Sequence, residues 1–187
     1  MKSALLGLIL LASAGCDRPA AQSIEQAPQA VLSLEGWPTL SGRVVDMADL
    51  LTPEQEAQLT RKSEALEHEV GPQYVIVTAA SLNGLSIERY SIDLARHWGL
   101  GDAKRNDGLM LLVAPNERKT RIEVGTGLER RITDPYAARV IRERAVPRFE
   151  KGDYADGIEA ATDALIARLR SAKSEPEIMR EDGIVTT

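Results

Sequence analysis

Gln73-Tyr74-Val75-Ile76-Val77-Thr78-Ala79 is a near-continuous run of β-branched and aromatic residues with no polar alternation. A strand built this way keeps no face for water, so it belongs in a sheet covered on both sides. Upstream, Thr52-Pro53-Glu54-Gln55 reads as a capping box with proline at the first helical position, and Leu59, Leu66 and Val70 mark one buried stripe. Gly71-Pro72 stops that helix. Downstream, Asn83-Gly84 turns the chain and Ser86 caps a second helix, with Ile87, Tyr90, Leu94 and Trp98 inward and Gly99 at its end. Gly108 to Ala114, through Leu109, Met110, Leu111, Leu112 and Val113, is a second buried strand. Pro115-Asn116 leads into an alternating strand, Thr120 to Val124, so these two form a hairpin. Two helices close the domain, about Asp134 to Ala145 and about Tyr154 to Leu169, the latter with Ile158, Ala161, Leu165 and Leu169 in line.

This order of elements argues for a single α/β domain, an α/β sandwich around a small mixed sheet. The first two strands, joined by a helical crossover, should be parallel, and the third should return antiparallel. No internal repeat of 20–50 residues is present, which excludes propellers and solenoids. With 43% hydrophobic but only 4% aromatic residues, aliphatic side chains must fill the core. The formal charge of −5 does not suit a phosphate backbone, so nucleic acid is not an expected partner. A single cysteine leaves no internal disulfide possible.

The N-terminus carries its own signal. Met1-Lys2 is a short positive start, Ala4 to Ala12 holds five leucines and an isoleucine, and Ser13-Ala14-Gly15 precede Cys16. The apolar run is too short for a mature transmembrane helix and reads as a cleaved export signal, residues 1–15. It resembles a bacterial lipoprotein signal, with Ser13 where an aliphatic residue usually stands. The resemblance implies that Cys16 is acylated and anchors the chain to a membrane, the domain facing the periplasm or cell surface. The alternative is an ordinary secretory signal with an incidental cysteine. Several acyl chains on one residue meet the two-signal requirement for stable anchoring, at ~0.8 kcal/mol per buried CH₂. Residues 16–35, rich in Ala, Gln, Pro and Ser, read as a tether, residues 36–170 as the domain, and residues 171–187 as a polar tail.

Topology also locates a candidate site. The loop Gly101 to Gly108 enters the second buried strand, and the loop Gly125-Thr126-Gly127-Leu128-Glu129 leaves its antiparallel neighbour. Both must therefore lie at one edge of the sheet, with the helix start at Thr133-Asp134-Pro135 close by. Asp102, Asn106, Asp107, Glu129 and Asp134 offer oxygen ligands only, a chemistry that suits calcium or magnesium rather than zinc or copper. The structural alternative is that Asp107-Gly108 is a turn and Asp134 a helix cap. Gly125-x-Gly127 lacks the third glycine of a dinucleotide fingerprint, and no phosphate loop is present, so no nucleotide or redox cofactor is expected. His68 and His97 lie on separate helices and read as structural or surface residues. Arg139, Arg142, Arg144 and Arg148 form a basic helical stretch that reads as a solvated face or one resting on anionic headgroups.

Gly42-Arg43-Val44-Val45-Asp46, Leu51-Thr52, Trp98-Gly99-Leu100-Gly101, Asn106-Asp107-Gly108-Leu109 and Glu123 to Glu129 with Thr133-Asp134 occur in the order seen in the TPM domain family. The resemblance covers about Leu40 to Leu169. It implies a three-layer α/β/α sandwich. That family includes a thylakoid lumen photosystem repair protein, a nematode acetylcholine-receptor modulator and many bacterial envelope proteins. Some members are described as acid phosphatases and some as calcium binders. Asp107, Asp134 and Asp46 match its acidic positions, although the topology sets Asp46 at the opposite edge. Two functions follow as expectations. One is a membrane-tethered module that binds a divalent cation or envelope proteins in envelope maintenance or assembly. The other is a metal-assisted phosphatase acting on phosphate monoesters, for which no nucleophile or general base is evident in the sequence.

Overall fold

A computed structural model describes residues 36–174. The expected export signal 1–15, Cys16 with the expected tether to residue 35, and residues 175–187 of the expected tail lie outside the described residues.

Strand β1 (Val44–Asp46) is followed by helix α1 (Pro53–Val70), β2 (Gln73–Thr78), α2 (Ile87–His97), β3 (Gly108–Ala114) and β4 (Lys119–Val124). The sheet order is β1-β2-β3-β4. β1, β2 and β3 are parallel, and β4 returns antiparallel to β3 with Leu111 opposite Ile122. The small mixed sheet expected from the pattern is present, with one strand more than the pattern revealed. β1 is only three residues long and pairs through Val44 opposite Ile76 and Asp46 opposite Thr78. Too short to show a period, it is set by its distant partner rather than by its own sequence.

Alternation along the buried strands divides the core into two clusters. Tyr74, Ile76, Leu109, Leu111, Val113 and Ile122 meet Leu59 and Leu66 of α1 together with Ile158, Ala161, Leu165 and Leu169. Val75, Val77, Met110 and Leu112 face the other way, against Ile87, Tyr90 and Leu94 of α2. The result is a three-layer α/β/α sandwich. The capping box at the start of α1 forms as expected: Gln55 N–H donates to Thr52 Oγ1 (3.3 Å) and Thr52 N–H to Gln55 Oε1 (2.8 Å).

Two helical segments differ from the sequence reading. In place of one helix ending near Ala145, α3 (Asp134–Val140) passes into a π-helical turn (Ile141–Ala145) and then α4 (Val146–Phe149). Pro147 is the reason. It has no N–H for the carbonyl four residues back, and its ring would crowd that carbonyl in a regular helix. The preceding turn widens instead, with Val146 N–H reaching Ile141 O. Helix α5 (Tyr154–Ser174) also runs past the boundary expected at residue 170.

The N-terminal approach is fixed to α2. Trp98 Nε1–H donates to Pro38 O at 2.7 Å, and the Trp37 ring meets Tyr90 edge-on at 4.9 Å. Trp98 thus anchors the incoming chain as well as packing on the core.

Candidate functional site

The register of the hairpin, Leu109 opposite Val124, brings the loop entering β3 and the loop leaving β4 together. The convergence expected from topology is therefore real, and glycine makes it close. A Cβ on Gly125 would overlap Asn106 O, and one on Gly127 would overlap Arg105 O. A Cβ on Gly101, which sits at φ 92°, would overlap the Gly108 backbone, and one on Gly108 would crowd the Leu100 carbonyl. The approach is closed by Gly125 N–H to Gly108 O (2.8 Å) and Gly127 N–H to Asn106 O (3.0 Å).

Asp107 holds the first loop from inside. It is 6% exposed. Its Oδ1 accepts from Asp102 N–H at 2.9 Å and its Oδ2 from Arg105 Nε–H at 2.7 Å. Asp102 Oδ1 in turn accepts the backbone N–H groups of Lys104 (2.9 Å) and Arg105 (3.0 Å). Those two bonds, helped by the Arg105 charge, hold the Asp102 carboxyl below the usual range. Gln73, at the start of β2, ties the loop to the sheet: its Oε1 accepts from Gly101 N–H at 2.6 Å, and its N–H donates to Asp107 O at 3.2 Å.

Between these loops and α2 lies a groove of about 510 Å³. Ile92, Leu100 and Val124 give it apolar lining, and Asp102, Asn106, Glu123 and Glu129 line it with Arg96. Glu123 belongs to a network that sequence reasoning did not find. Its Oε2 accepts from Ser91 Oγ (2.8 Å) and Arg121 Nε (2.7 Å), and Ser91 is fully buried. The Arg121-x-Glu123 spacing was the available signal, since it puts both side chains on one face of β4.

Of the six residues expected as ligands, Asp102, Asn106 and Glu129 share the groove. Asp107 turns inward. Asp134 is exposed in the first turn of α3, behind the Thr133 cap, and does not line the groove. Asp46 lies at the opposite edge, as its position in the topology required. There its Oδ2 accepts from Leu51 N–H (2.8 Å) and its Oδ1 from Leu50 N–H (3.2 Å) and the Thr78 hydroxyl, which shapes the turn into α1. Among the described residues, no group of three or more His, Cys, Asp or Glu is placed to hold a metal ion.

A family model for the TPM domain matches residues 44–168. The chain belongs to the TPM domain family. The N-terminal domain of a protein from P. gingivalis, solved in solution, shares 32% identity at a TM-score of 0.69, covering 74% of this chain and 92% of that one. The N-terminal domain of a Corynebacterium glutamicum protein aligns at 17% identity and TM-score 0.57, over 82% of this chain and 95% of its own. A protein of the psychrophilic bacterium Bizionia argentinensis aligns at 16% and 0.56, over 67% and 85%. These last two share the fold. No curated protein matches the chain. The first two neighbours were solved as isolated N-terminal domains, so TPM domains of this extent fold by themselves in those proteins, and among the described residues the core here falls between Val44 and Leu169.

Proposed function

We propose that this TPM domain is a membrane-tethered, non-catalytic module that seats a segment of another envelope protein in the groove beside the converging loops. The observation that carries the reading is the groove itself, an apolar lining with an acidic rim, walled by loops that glycine contacts and Asp107 lock in place. A rigid, preformed site loses little conformational freedom on binding. Asp102 and Glu129 are exposed acids on the lining and Arg96 its exposed cation, so the segment that fits carries an apolar side chain with lysine or arginine beside it. The tether is read from the sequence ahead of Cys16. A phosphatase reading has no observation of its own: Ser91, the hydroxyl bonded to a carboxylate in the groove wall, is closed to solvent.

The test is site-directed photo-crosslinking in living cells. A photoreactive residue replaces Ala103, at the groove, or Arg61, exposed on α1. A discrete protein adduct from position 103, absent from 61 and weakened by Glu129→Lys, is the expected result. The same adducts from both positions, or none from 103, would remove the groove from consideration. Radiolabelled palmitate should enter the native chain and not Cys16→Ser, and equal labelling of both would refute the anchor. Calorimetric titration of calcium and magnesium should give no saturable heat at the loops. Saturable binding abolished by Glu129→Ala would replace the protein segment with a cation as ligand.

A further inference from the structure

A second groove opens at the other edge of the sheet, where the β3–β4 turn faces α4 and the start of α5. Its volume is about 650 Å³, within the roughly 300–1,000 Å³ typical of small-molecule sites. The floor is aromatic and aliphatic: Phe149 stacks on Tyr154 with ring centroids 5.1 Å apart at 27°, beside Val146 and Pro115. This floor is built in place. Gly157, in the first turn of α5, has no Cβ because Phe149 Cδ1 would lie 2.6 Å from it.

Around that floor stand Arg118, Lys119 and Lys151, all exposed. None of the three makes an ion pair among the described residues, and Glu150 is the one acid of the lining. The excess of positive charge is local, because residues 36–174 together carry 20 basic against 21 acidic side chains. Anions are therefore drawn to this patch. The 21-residue α5 begins at Tyr154, so its positive end adds to the same field. A bilayer meets protruding side chains, whereas these rings lie half-buried on the floor of a concavity. Concavity, flat apolar floor and cationic rim together fit a single molecule rather than a membrane surface.

We propose that this groove is a binding site for an anionic amphiphile, a molecule carrying a carboxylate or phosphate on an apolar body. The anionic group pairs with Arg118, Lys119 and Lys151, and the apolar body lies along Val146, Phe149 and Tyr154. The inference is independent of the groove at the opposite edge.

The test titrates dodecyl phosphate, below its micellar concentration, into residues 36–187, read by calorimetry and by amide shifts in NMR. Saturable one-to-one binding is expected, with shifts centred on Lys119, Gly152 and Tyr154. Octyl phosphate should bind at least tenfold more weakly and inorganic phosphate weaker still. Dodecyltrimethylammonium should not bind at the groove. Arg118→Glu with Lys151→Glu should weaken binding tenfold or more, and Lys151→Glu alone several-fold, with both variants keeping the native melting temperature. Equal binding of the cationic amphiphile, shifts centred on the opposite edge, or affinity unchanged by charge reversal would each overturn the proposal. So would association with anionic vesicles without binding of the single amphiphile, which would assign the patch to a bilayer.

Discussion

Gly127 is an exposed glycine on a surface loop, a kind of position where substitution usually changes stability by less than about 0.5 kcal/mol. Here the expectation is different. A Cβ at 127 would overlap the Arg105 carbonyl oxygen and reach 3.0 Å from the Arg105 carbon and 3.1 Å from Asn106 O. All three are backbone atoms, so no side chain can rotate away. The loops must part by about an ångström or more to restore ordinary contact distances. Forcing that separation costs about 1–3 kcal/mol, by analogy with overpacking of a well-packed core. The bond from Gly127 N–H to Asn106 O stretches as the loops part, and losing it costs a further ~0.5–1.5 kcal/mol. Gly127→Ala should therefore destabilise the domain by about 2–4 kcal/mol, or roughly 10 °C in melting temperature for a domain of this size. Gly42→Ala is the control. Its Cβ meets nothing within 4 Å and its φ is not left-handed, so it should be neutral or stabilising by up to ~1 kcal/mol. Urea denaturation followed by circular dichroism measures both, with the slope of each transition unchanged. If Gly127→Ala stays within about 0.5 kcal/mol of the native domain, the loops are not locked by close backbone approach.

Three further outcomes follow from the same geometry. Asp107→Ala leaves the Asp102 N–H and Arg105 Nε without their acceptor and should cost about 1–3 kcal/mol, with faster amide exchange at Asp102, whereas Asp134→Ala should cost under about 0.5 kcal/mol. Equal losses at the two aspartates would mean that Asp107 is not the interior support of the loop. Burial, with the Asp163 charge adding to it, pushes the Tyr74 hydroxyl well above its usual 10 against the opposing Thr162 hydrogen bond. Because the folded value is raised, the stabilisation is complete below pH 10 and lost as pH climbs through the folded value. Tyr74→Phe should flatten the alkaline fall in urea midpoint, and an unchanged slope between the two would refute this. Glu117 is lowered from 4.5 chiefly because it accepts the Leu82 N–H at 2.8 Å. Its stabilisation is present above pH 4.5 and lost as pH falls through the lowered value, so Glu117→Gln should soften the acid limb of the stability profile. Identical acid limbs would show that the Leu82 bond does not depend on charge.

The elements with strong local signals were legible from sequence. Thr52 to Gln55 announces α1, and the apolar runs 73–79 and 108–114 announce buried strands, because each pattern stabilises one structure within its own window. The meeting of the two loops was legible too, since it follows from strand direction alone. Three features were not. Val44–Asp46 becomes a strand only through pairing with Ile76 to Thr78, which lies far along the chain. The π-helical turn depends on how the helix shifts around Pro147, where the sequence marks the obstacle but not the remedy. The direction in which Asp107 faces was hidden as well, because an aspartate before a glycine reads alike whether its carboxylate binds outward or braces its own loop. The backbone N–H of Asp102, five residues earlier, settles it.

The Trp37–Pro38 attachment to α2 bears on how the domain withstands force. Any pull on the chain ahead of residue 36 reaches the Trp98–Pro38 hydrogen bond and the Trp37–Tyr90 contact before it reaches β1. A three-residue edge strand is a weak point from which a sheet could be peeled, and here it is shielded from the load by two indole rings seated on a helix across the sandwich. The attachment works as a strain relief, since any tension applied ahead of residue 36 meets the α2 layer before it loads the short edge strand.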